Sequence, residues 1–448
     1  MNKQRPIKQR LTAAVALLLG MLALYTPYLN RIMFCDEANT LYVYAQDLAR
    51  ALLSYATPNN HMLHSALVWC MTNLAGTSAP VVRFIALAGA MLSVALMFRV
   101  AAKVAGLRAA VAACVFLITT FAFADFAINA RGYTLSVALT LLLIDRIFLT
   151  RNVWTRRYAY SLMAICFALI LLLPSMLMLI AAAAAWFLWC ARSQRHYISL
   201  IPPMIVGVAA AGVFYLPSFM QGLFSQHINA FGESDLLVLL RLWLEQTFNT
   251  PIIGLIFATS CIAGVVMLAR RYLRARAIIV MVLAVTALVA IAQIIVLHKL
   301  FFARNYLFLI APIALLGGIG FSYFARRWTV PLMALMLVAS AIPLRGLDGD
   351  YLEKQVVALV NQNVGEHDQI LCGPCFNAPV QHYLLHNDQG YKLFFSPETE
   401  RVFVLLREGT YQDVLALYNM QNNVTDCQPV TDGSWGAFEV YLCQPIHA

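Results

Sequence analysis

The sequence predicts a polytopic α-helical membrane protein with about eleven transmembrane helices and a small C-terminal α/β domain. Of its 448 residues, 61% are hydrophobic and only 12% are charged, and the mean hydropathy is +0.74. A soluble globular domain is nearer to half apolar and a quarter charged. The long apolar runs end near residue 345, and the remaining residues are polar and acidic.

A helix needs about 20 apolar residues to cross a bilayer. By this criterion we expect spans near residues 11–29, 82–102, 107–128, 133–149, 158–173, 175–191, 199–217, 250–269, 277–297, 305–325 and 329–344. The first span follows a basic leader and lacks a small-residue cleavage site. It is therefore expected to be uncleaved, with its N-terminus in the cytoplasm.

Lysine and arginine cluster in alternate connections between the predicted spans. These clusters lie at 99–108, 146–157, 192–195, 270–276 and 326–327. The positive-inside rule assigns them to the cytoplasmic side, and an odd number of spans then puts the C-terminal domain outside. We expect a multi-pass protein of a bacterial inner membrane with a periplasmic C-terminal domain. The net charge of +10 is thus an orientation signal and does not predict a nucleic-acid partner.

Two domains are expected, a membrane domain over residues 1–345 and a small periplasmic domain over 346–448. The membrane domain has a long first outer loop, about 30–81, in which we expect helices lying along the interface. The C-terminal domain has 13 acidic and 4 basic residues, a net charge of −9. Its runs DQILC, RVFVLL and AFEVYL predict strands, and helices are expected near 352–363 and 376–386.

Four cysteines fall in the C-terminal domain: Cys372, Cys375, Cys427 and Cys443. An even number of cysteines in an oxidising compartment predicts structural disulfides. The run LCGPCFNAP also resembles the redox-active turn of thioredoxins, although the rest of the domain does not. A catalytic redox role is therefore an open alternative.

Acidic side chains are scarce in the first 345 residues, and six of the eight fall on the predicted outer side: Asp36, Glu37, Asp47, Glu233, Asp235 and Glu245. Basic residues also collect at this rim. A single rim arginine is usually explained by its side chain reaching the interface. A set of both signs on one face favours a functional site.

Four motifs on the outer face resemble the GT-C membrane glycosyltransferases, which include the protein O-mannosyltransferases and the aminoarabinose transferases of lipid A. They are CDEANT, TPNNHMLHSAL, NARGYTLSVALTLLL and LHKLFFARNYLFLIAPI. The resemblance covers roughly residues 11–345. Two features depart from the family pattern: Met62 replaces the usual proline after the loop histidine, and no acid follows Arg131.

The resemblance implies inverting transfer of a sugar from a polyprenyl-phosphate carrier to a glycolipid, a lipopolysaccharide or O-antigen, or a protein. Asp36 is expected to be the general base, with Glu37 supporting it or binding the acceptor. The donor phosphate is expected to meet cations and a further donor, namely Arg131, Lys299, Arg304 and His298. The predicted sugar- or acceptor-binding residues are Asn59, Asn60, His61, His64 and Tyr133.

The sequence leaves the metal requirement and the function class open. His61 and His64 are three residues apart on one helix and could bind a divalent metal ion with Asp36 or Glu37. A hydrogen-bonding or packing role for the histidines is the favoured alternative. The second function class is a transporter or flippase of a lipid-linked saccharide, and a third is a membrane scaffold.

Overall fold

The computed structural model describes residues 4–31, 33–55, 60–149, 155–191, 195–221, 236–247, 251–271, 303–344, 352–372, 398–406, 410–417, 420–430 and 439–446. The chain divides into two compact units. The first comprises Met1–Leu29 and Tyr44–Leu347, and the second comprises Asn30–Val43 and Asp348–Ala448. The grouping of Asn30–Val43 with the C-terminal residues was not predicted.

The first unit is entirely helical over the residues described. Its described α-helices are α1 (Gln4–Tyr25), α3 (Leu48–Leu53), α4 (Met62–Ala75), α5 (Ala79–Ala105), α6 (Leu107–Thr119), α7 (Phe121–Ala127), α8 (Tyr133–Ile144), α9 (Arg156–Leu172), α10 (Met176–Ala191), α11 (Ile201–Gly212), α12 (Leu216–Met220), α13 (Leu236–Thr247), α14 (Pro251–Arg271), α15 (Ile310–Ala325), α16 (Thr329–Ala339) and α17 (Ala341–Leu344). Helix α2 (Cys35–Asn39) lies within Asn30–Val43 and therefore belongs to the second unit. Short 3-10 or π-helical segments adjoin them at Thr26–Tyr28, Thr40–Tyr44, Asp145–Leu149, Arg195–Leu200, Val213–Tyr215, Ala303–Leu309 and Arg326–Trp328.

Within the described residues, four helical runs are long and apolar enough to cross a membrane: Lys8–Tyr28, Ala79–Ala105, Tyr197–Met220 and Arg304–Ala339. The bent pair α6–α7 would make a fifth. Shorter apolar helices cover Met176–Trp189 and Gly254–Met267. The span predicted near 277–297 lies outside the described residues, so the expected count of eleven stays a prediction.

The span predicted over 107–128 is broken in the structure. Helices α6 and α7 meet at an angle of 70° around Thr120, whose backbone is extended. The Thr119 hydroxyl donates to the Val115 carbonyl at 2.9 Å, and the Thr120 hydroxyl donates to Phe116 at 2.7 Å. Threonine bonds of this kind to the preceding turn compete with the helical ladder and bend helices. The bend sets the direction of α7 and of the loop that follows it.

The two predicted spans 305–325 and 329–344 form one apolar helical run of 36 residues, Arg304–Ala339. This length exceeds the roughly 20 residues that a single crossing needs. The run is interrupted at Arg326, whose φ of 39° is a left-handed backbone conformation. Helices α15 and α16, on the two sides of Arg326, both pack against α6.

The C-terminal part of the second unit is a mixed sheet with helices. It contains α18 (Leu352–Asn363), β1 (Asp368–Cys372), β2 (Arg401–Leu406), α19 (Tyr411–Leu417), β3 (Val424–Pro429) and β4 (Glu439–Pro445). The strand order is β1-β2-β4-β3, with β1 and β2 parallel and the other neighbours antiparallel. The three predicted strands and the helix near 352–363 are confirmed. The helix expected near 376–386 lies outside the described residues.

The sheet buries apolar side chains on both faces. Ile370 and Phe403 pack with α18 residues, whereas Val402 and Val404 pack with Val414 of α19. This alternation follows the two-residue period of a strand. Asp368 accepts two hydrogen bonds from the Arg401 guanidinium, at 2.9 and 2.6 Å, and so joins the first residues of β1 and β2.

Cys427 and Cys443 form a disulfide between the neighbouring strands β3 and β4. The expected structural disulfide is thereby confirmed for this pair. The Cys372 side chain is buried, and burial raises the pKa of its thiol. A thiol with a raised pKa has little of the nucleophilic thiolate that redox catalysis needs. Cys375 lies outside the described residues.

Candidate functional site

The loop between α7 and α8 carries Arg131, whose side chain is only 1% exposed. The turn is tight, because the Arg131 amide donates to the Asn129 carbonyl at 2.6 Å. A Cβ at Gly132 would lie 2.8 Å from Leu172 Cδ2 and 3.0 Å from His61 Nδ1. Glycine therefore allows the chain after Arg131 to approach the His61 ring closely. A buried guanidinium is costly unless something compensates its charge.

Tyr133 directly follows Gly132, and its ring contacts several side chains that together form the candidate site. The His61 ring meets it edge-on with centroids 4.6 Å apart, and Phe126 packs at 4.3 Å. The Arg131 guanidinium carbon lies 5.8 Å from the Tyr133 ring centre, within cation–π range. The Tyr133 hydroxyl lies 3.4 Å from Asn305 Oδ1, a long hydrogen bond.

His61 and His64 lie at the N-terminal end of α4. His61 is the N-cap residue, and His64 follows one turn later, so both face the same side. They are 2% and 0% exposed, and none of their four ring nitrogens has a hydrogen-bond partner among the described residues. A buried polar group without a partner costs about 1–3 kcal/mol. This arrangement is unusual in a folded protein and calls for an explanation.

The electrostatic environment keeps both imidazoles neutral. Burial, together with nearby Arg131, His64 and Arg304, holds the pKa of His61 well below its usual value. Burial, with Arg131 nearby, lowers the pKa of His64 to about 3. At neutral pH each ring therefore has one N–H donor and one bare nitrogen acceptor.

Arg304 and Asn305 are the second and third residues of the 3-10 segment Ala303–Leu309. The carbonyl of Asn305 accepts from the Ser175 hydroxyl at 3.4 Å, at the turn before α10. Arg304 lies close enough to His61 to act on its pKa. The structure therefore brings together Arg131, His61, His64, Tyr133 and Arg304. The predicted phosphate-binding residues His298 and Lys299 lie outside the described residues.

Asn60, predicted to bind a sugar or an acceptor, uses its side-chain amide for hydrogen bonds within the first outer loop. Its amide nitrogen donates to the carbonyls of Ala51 and Ser54, at 3.1 and 2.6 Å. Its amide oxygen accepts from the Ser65 hydroxyl at 2.7 Å. These bonds join the end of α3 to the start of α4 and so place His61 and His64. The neighbouring Asn59 lies outside the described residues.

Asp36 and Glu37 belong to the second unit, in the first turn of the short helix α2. Glu37 is fully buried, and its carboxylate accepts from the Phe34 amide at 3.1 Å. An acid in the first helical turn satisfies a free amide and favours the helix dipole. Glu37 therefore has a capping role that the sequence analysis did not predict. Asp36 is partly buried, and its carbonyl accepts from the Thr40 hydroxyl.

Several of the other charges have structural partners. Arg83 is buried and donates to the Leu29 carbonyl at 2.8 Å. Asp47 pairs with Arg50, and Glu245 with Arg241, in exposed ion pairs that contribute at most about 1 kcal/mol each. Near the predicted inner face, the buried Asp145 accepts from both Arg99 and Lys103.

The metal site that the sequence left open, and did not favour, is not assembled from the described side chains. Among them, no three His, Cys, Asp or Glu residues lie close enough together to hold a metal ion.

Two residues close to these side chains, Asn305 and Tyr55, were not among the predicted site residues. Asn305 directly follows Arg304, and a polar residue in such an apolar stretch was a usable signal. Tyr55 is buried, and burial raises its pKa, with Tyr133, Tyr44 and Arg131 acting on it as well. Its ring meets Tyr215 at 5.1 Å, and its amide donates to the Ser218 hydroxyl, which fixes it in place. Its interfacial position in the sequence gave no sign of this packing.

The fold resembles that of solved GT-C membrane glycosyltransferases. The solved structures of ArnT, an aminoarabinose transferase from Cupriavidus metallidurans, match with a TM-score of 0.65 at 11% identity, both in the apo state and bound to undecaprenyl phosphate. The match covers 96% of this chain and 97% of that chain. The resemblance seen in the sequence motifs is therefore confirmed as a likeness of fold.

Two further solved structures of membrane glycosyltransferases have a similar fold. The archaeal oligosaccharyltransferase AglB from Archaeoglobus fulgidus, in complex with an inhibitory peptide and a dolichol-phosphate, matches with a TM-score of 0.51 at 12% identity over 88% of this chain and 69% of that chain. The arabinofuranosyltransferase AftD from Mycobacteria matches with a TM-score of 0.50 at 15% identity, over 98% of this chain and 40% of that chain. No protein-family model and no curated protein matches the sequence.

Proposed function

We propose that this protein is an inverting glycosyltransferase that moves a sugar from a polyprenyl-phosphate carrier to an acceptor at the outer face of a bacterial inner membrane. The observation that carries the proposal is the buried Arg131, set against Tyr133 and the neutral His61–His64 pair, in a fold of this superfamily. Two structures of that fold hold a lipid phosphate, undecaprenyl phosphate in ArnT and dolichol-phosphate in AglB.

The cations of the cluster suit the leaving group of such a reaction. When the bond from the anomeric carbon to the phosphate breaks, negative charge grows on the phosphate, and fixed cations lower the barrier. Arginine presents a planar set of donors that matches phosphate oxygens. Arg131 and Arg304 are our candidates, with His298 and Lys299 as further donors from the sequence motif.

We assign the general base to Asp36 on the sequence motif. The acceptor hydroxyl must lose its proton as it attacks the anomeric carbon, and a carboxylate can accept that proton. A single displacement inverts the anomeric configuration. Glu37 is better suited to hold the helix that carries Asp36, since its carboxylate caps that helix.

The Cys427–Cys443 disulfide supports an outer location for the C-terminal domain, because disulfides persist in oxidising compartments such as the periplasm. The acceptor remains a glycolipid, a lipopolysaccharide or O-antigen, or a protein. A transporter or flippase of a lipid-linked saccharide is the alternative, and it is not favoured because the matching structures are transferases.

The phosphate assignment is tested by binding of undecaprenyl phosphate to the purified full-length protein in nanodiscs. Losing one charge-assisted hydrogen bond costs about 1.5–3 kcal/mol, so Arg131→Gln should weaken binding at least about tenfold. The control is Arg99→Gln, which removes the same charge from the ion cluster around Asp145. Arg99→Gln should bind like the wild type. Equal affinity in the wild type and in Arg131→Gln would contradict the assignment.

A further inference from the structure

The His61–His64 pair has unused hydrogen-bonding capacity inside the protein. Both rings are at least 98% buried, and all four ring nitrogens are without a hydrogen-bond partner in the described part of the chain. Folded proteins seldom bury such groups unless a ligand or ordered water satisfies them. The His61 ring lies against Tyr133 and Gly132, and the His64 ring is near enough to His61 and Arg131 to interact with them electrostatically. The unused capacity therefore belongs to the candidate site.

The His61 ring is held in a fixed orientation. The Tyr133 ring meets it at an interplanar angle of 77°, and Gly132 lies directly against its Cβ and Nδ1. Phe126 packs on Tyr133 at 4.3 Å. Asn60 ties the loop before α4 to the end of α3 and to Ser65. The donor and acceptor atoms of His61 are therefore set in place by packing rather than by a bond of their own.

The numbers of donors and acceptors restrict the ligand. Two neutral imidazoles offer two N–H donors and two nitrogen acceptors. A phosphate group supplies acceptors and would leave both bare nitrogens unsatisfied. An ammonium group supplies donors only, and beside the Arg131 guanidinium it would also meet a like charge. A hydroxyl group both donates and accepts, so two or more hydroxyl groups can satisfy the pair completely.

We propose that His61 and His64 form a subsite that hydrogen-bonds to hydroxyl groups of an uncharged sugar on the donor lipid and discriminates against an amino sugar. The inference rests on the proposed function, because it takes the neighbouring Arg131 and Arg304 as the cations for the lipid phosphate. The donor sugar is bonded directly to that phosphate, so groups beside those cations are next to the sugar. This subsite deepens the reaction by naming its substrate class.

The first test measures binding of two matched probes to the full-length protein in nanodiscs. The probes are undecaprenyl phosphate carrying arabinose and undecaprenyl phosphate carrying 4-amino-4-deoxyarabinose, which differ by one hydroxyl replaced with an ammonium. The wild type should bind the arabinose probe at least about tenfold more tightly, roughly the effect of leaving one buried polar group without a partner. Equal affinity, or tighter binding of the amino sugar, would overturn the inference.

Variants of His64 connect that preference to the imidazole. His64→Leu has no donor or acceptor, and the ratio of the two affinities should fall towards one. His64→Gln retains a donor and an acceptor and should preserve part of the preference. Tyr25→Phe is the control, because it removes another buried hydrogen bond, from the Tyr25 hydroxyl to the Ile118 carbonyl, at a distance from the histidines in sequence. An unchanged ratio in His64→Leu would overturn the inference.

A stability measurement separates a ligand subsite from a structural water site. If the nitrogens await a ligand, His64→Leu should raise the thermal inactivation temperature of the ligand-free protein, because it removes unsatisfied buried groups. If ordered water already satisfies them, His64→Leu should lower that temperature, and the subsite is then wrong. Sugar-free undecaprenyl phosphate serves as a third probe. Failure of the wild type to bind sugar-free undecaprenyl phosphate would contradict the proposed function itself. Normal binding of this probe without discrimination between the two sugars would contradict only the histidine subsite.

Discussion

Arg131 and the His61–His64 pair respond to burial in opposite ways. Arginine keeps its charge in a protein interior, so a buried guanidinium is a fixed cation. Histidine can release its proton, and burial beside a cation drives it to the neutral form. The cluster therefore combines a permanent positive charge with two neutral rings that donate and accept. This combination suits a ligand with an anionic part and a hydroxyl-bearing part.

The neutral state of His64 predicts how stability depends on pH. In the unfolded chain His64 takes up a proton near its ordinary pKa of 6.5, whereas in the folded protein its pKa is about 3. Between these values the unfolded state holds the extra proton, so stability is complete above about pH 6.5 and is lost as the pH falls towards 3. The slope from one such group approaches about 1.4 kcal/mol per pH unit.

The measurement is the thermal inactivation temperature in nanodiscs at several pH values between about 7.5 and 5.5, a range that lies mostly above ordinary carboxylate titration. The wild type should lose stability as the pH falls, and His64→Gln should show a shallower dependence. His61 acts in the same direction, because its pKa is also lowered. A pH dependence identical in the two proteins would show that His64 does not carry this effect.

Among the helices, close approach depends on a few glycines. A Cβ at Gly320 of α15 would overlap the Ser260 carbonyl oxygen of α14, and a Cβ at Gly264 of α14 would overlap the Leu316 carbonyl oxygen of α15. Small residues at such contacts let helix backbones pack closely in membranes. The overlapping atoms are backbone atoms, which cannot move aside as a flexible side chain can.

Gly320→Ala should therefore destabilise the protein by about 1–3 kcal/mol, the usual cost of overpacking. The matched control is Gly212→Ala in α11, where an added Cβ meets nothing within 4 Å and the backbone is helical. That change should be neutral or stabilising by up to about 1 kcal/mol. The thermal inactivation temperatures of the two variants and the wild type measure this difference in stability. Equal losses in both would mean that the α14–α15 contact does not limit stability.

The helices and strands were predictable wherever hydropathy or alternation set them. Strands β1, β2 and β4 follow alternating runs. Strand β3, with the polar sequence VTDCQP, was not predicted, because it is a largely exposed edge strand held by its pairing with β4 and by a disulfide. The bend at Thr120 was also missed, because it depends on hydroxyl bonds to the preceding turn. Hydropathy depends only on residue type and does not show where a side-chain hydroxyl competes with the backbone hydrogen bonds of a helix.

The site was predictable in its residue types and less so in its roles. The motifs pointed to Arg131, His61, His64 and Tyr133. The structure brings these residues together, with His61 and Arg131 beside the Tyr133 ring and His64 close to His61. The roles of Asn60 and Glu37 could not be predicted. Their contacts are local hydrogen bonds to backbone and loop atoms, which no motif distinguishes from contacts to a ligand.

Basic and acidic residues are concentrated in different regions of the chain. The first 345 residues carry most of the basic residues, and the acidic residues dominate the C-terminal part. The basic residues follow the positive-inside rule and predict the orientation of the chain. The disulfide in the C-terminal sheet agrees with that orientation. These features support the proposal that sugar transfer takes place at the outer face of the membrane.

The most direct test is sugar transfer from a panel of radiolabelled polyprenyl-phosphate sugars by the purified protein in nanodiscs, with envelope acceptors added and Asp36→Asn beside the wild type. The account predicts turnover of at least one donor, with an inverted linkage in the product. The Asp36→Asn variant should lose turnover, because it removes the base at nearly constant shape, and should still bind the donor. Failure of the wild type to transfer any sugar, or full activity of Asp36→Asn, would contradict it.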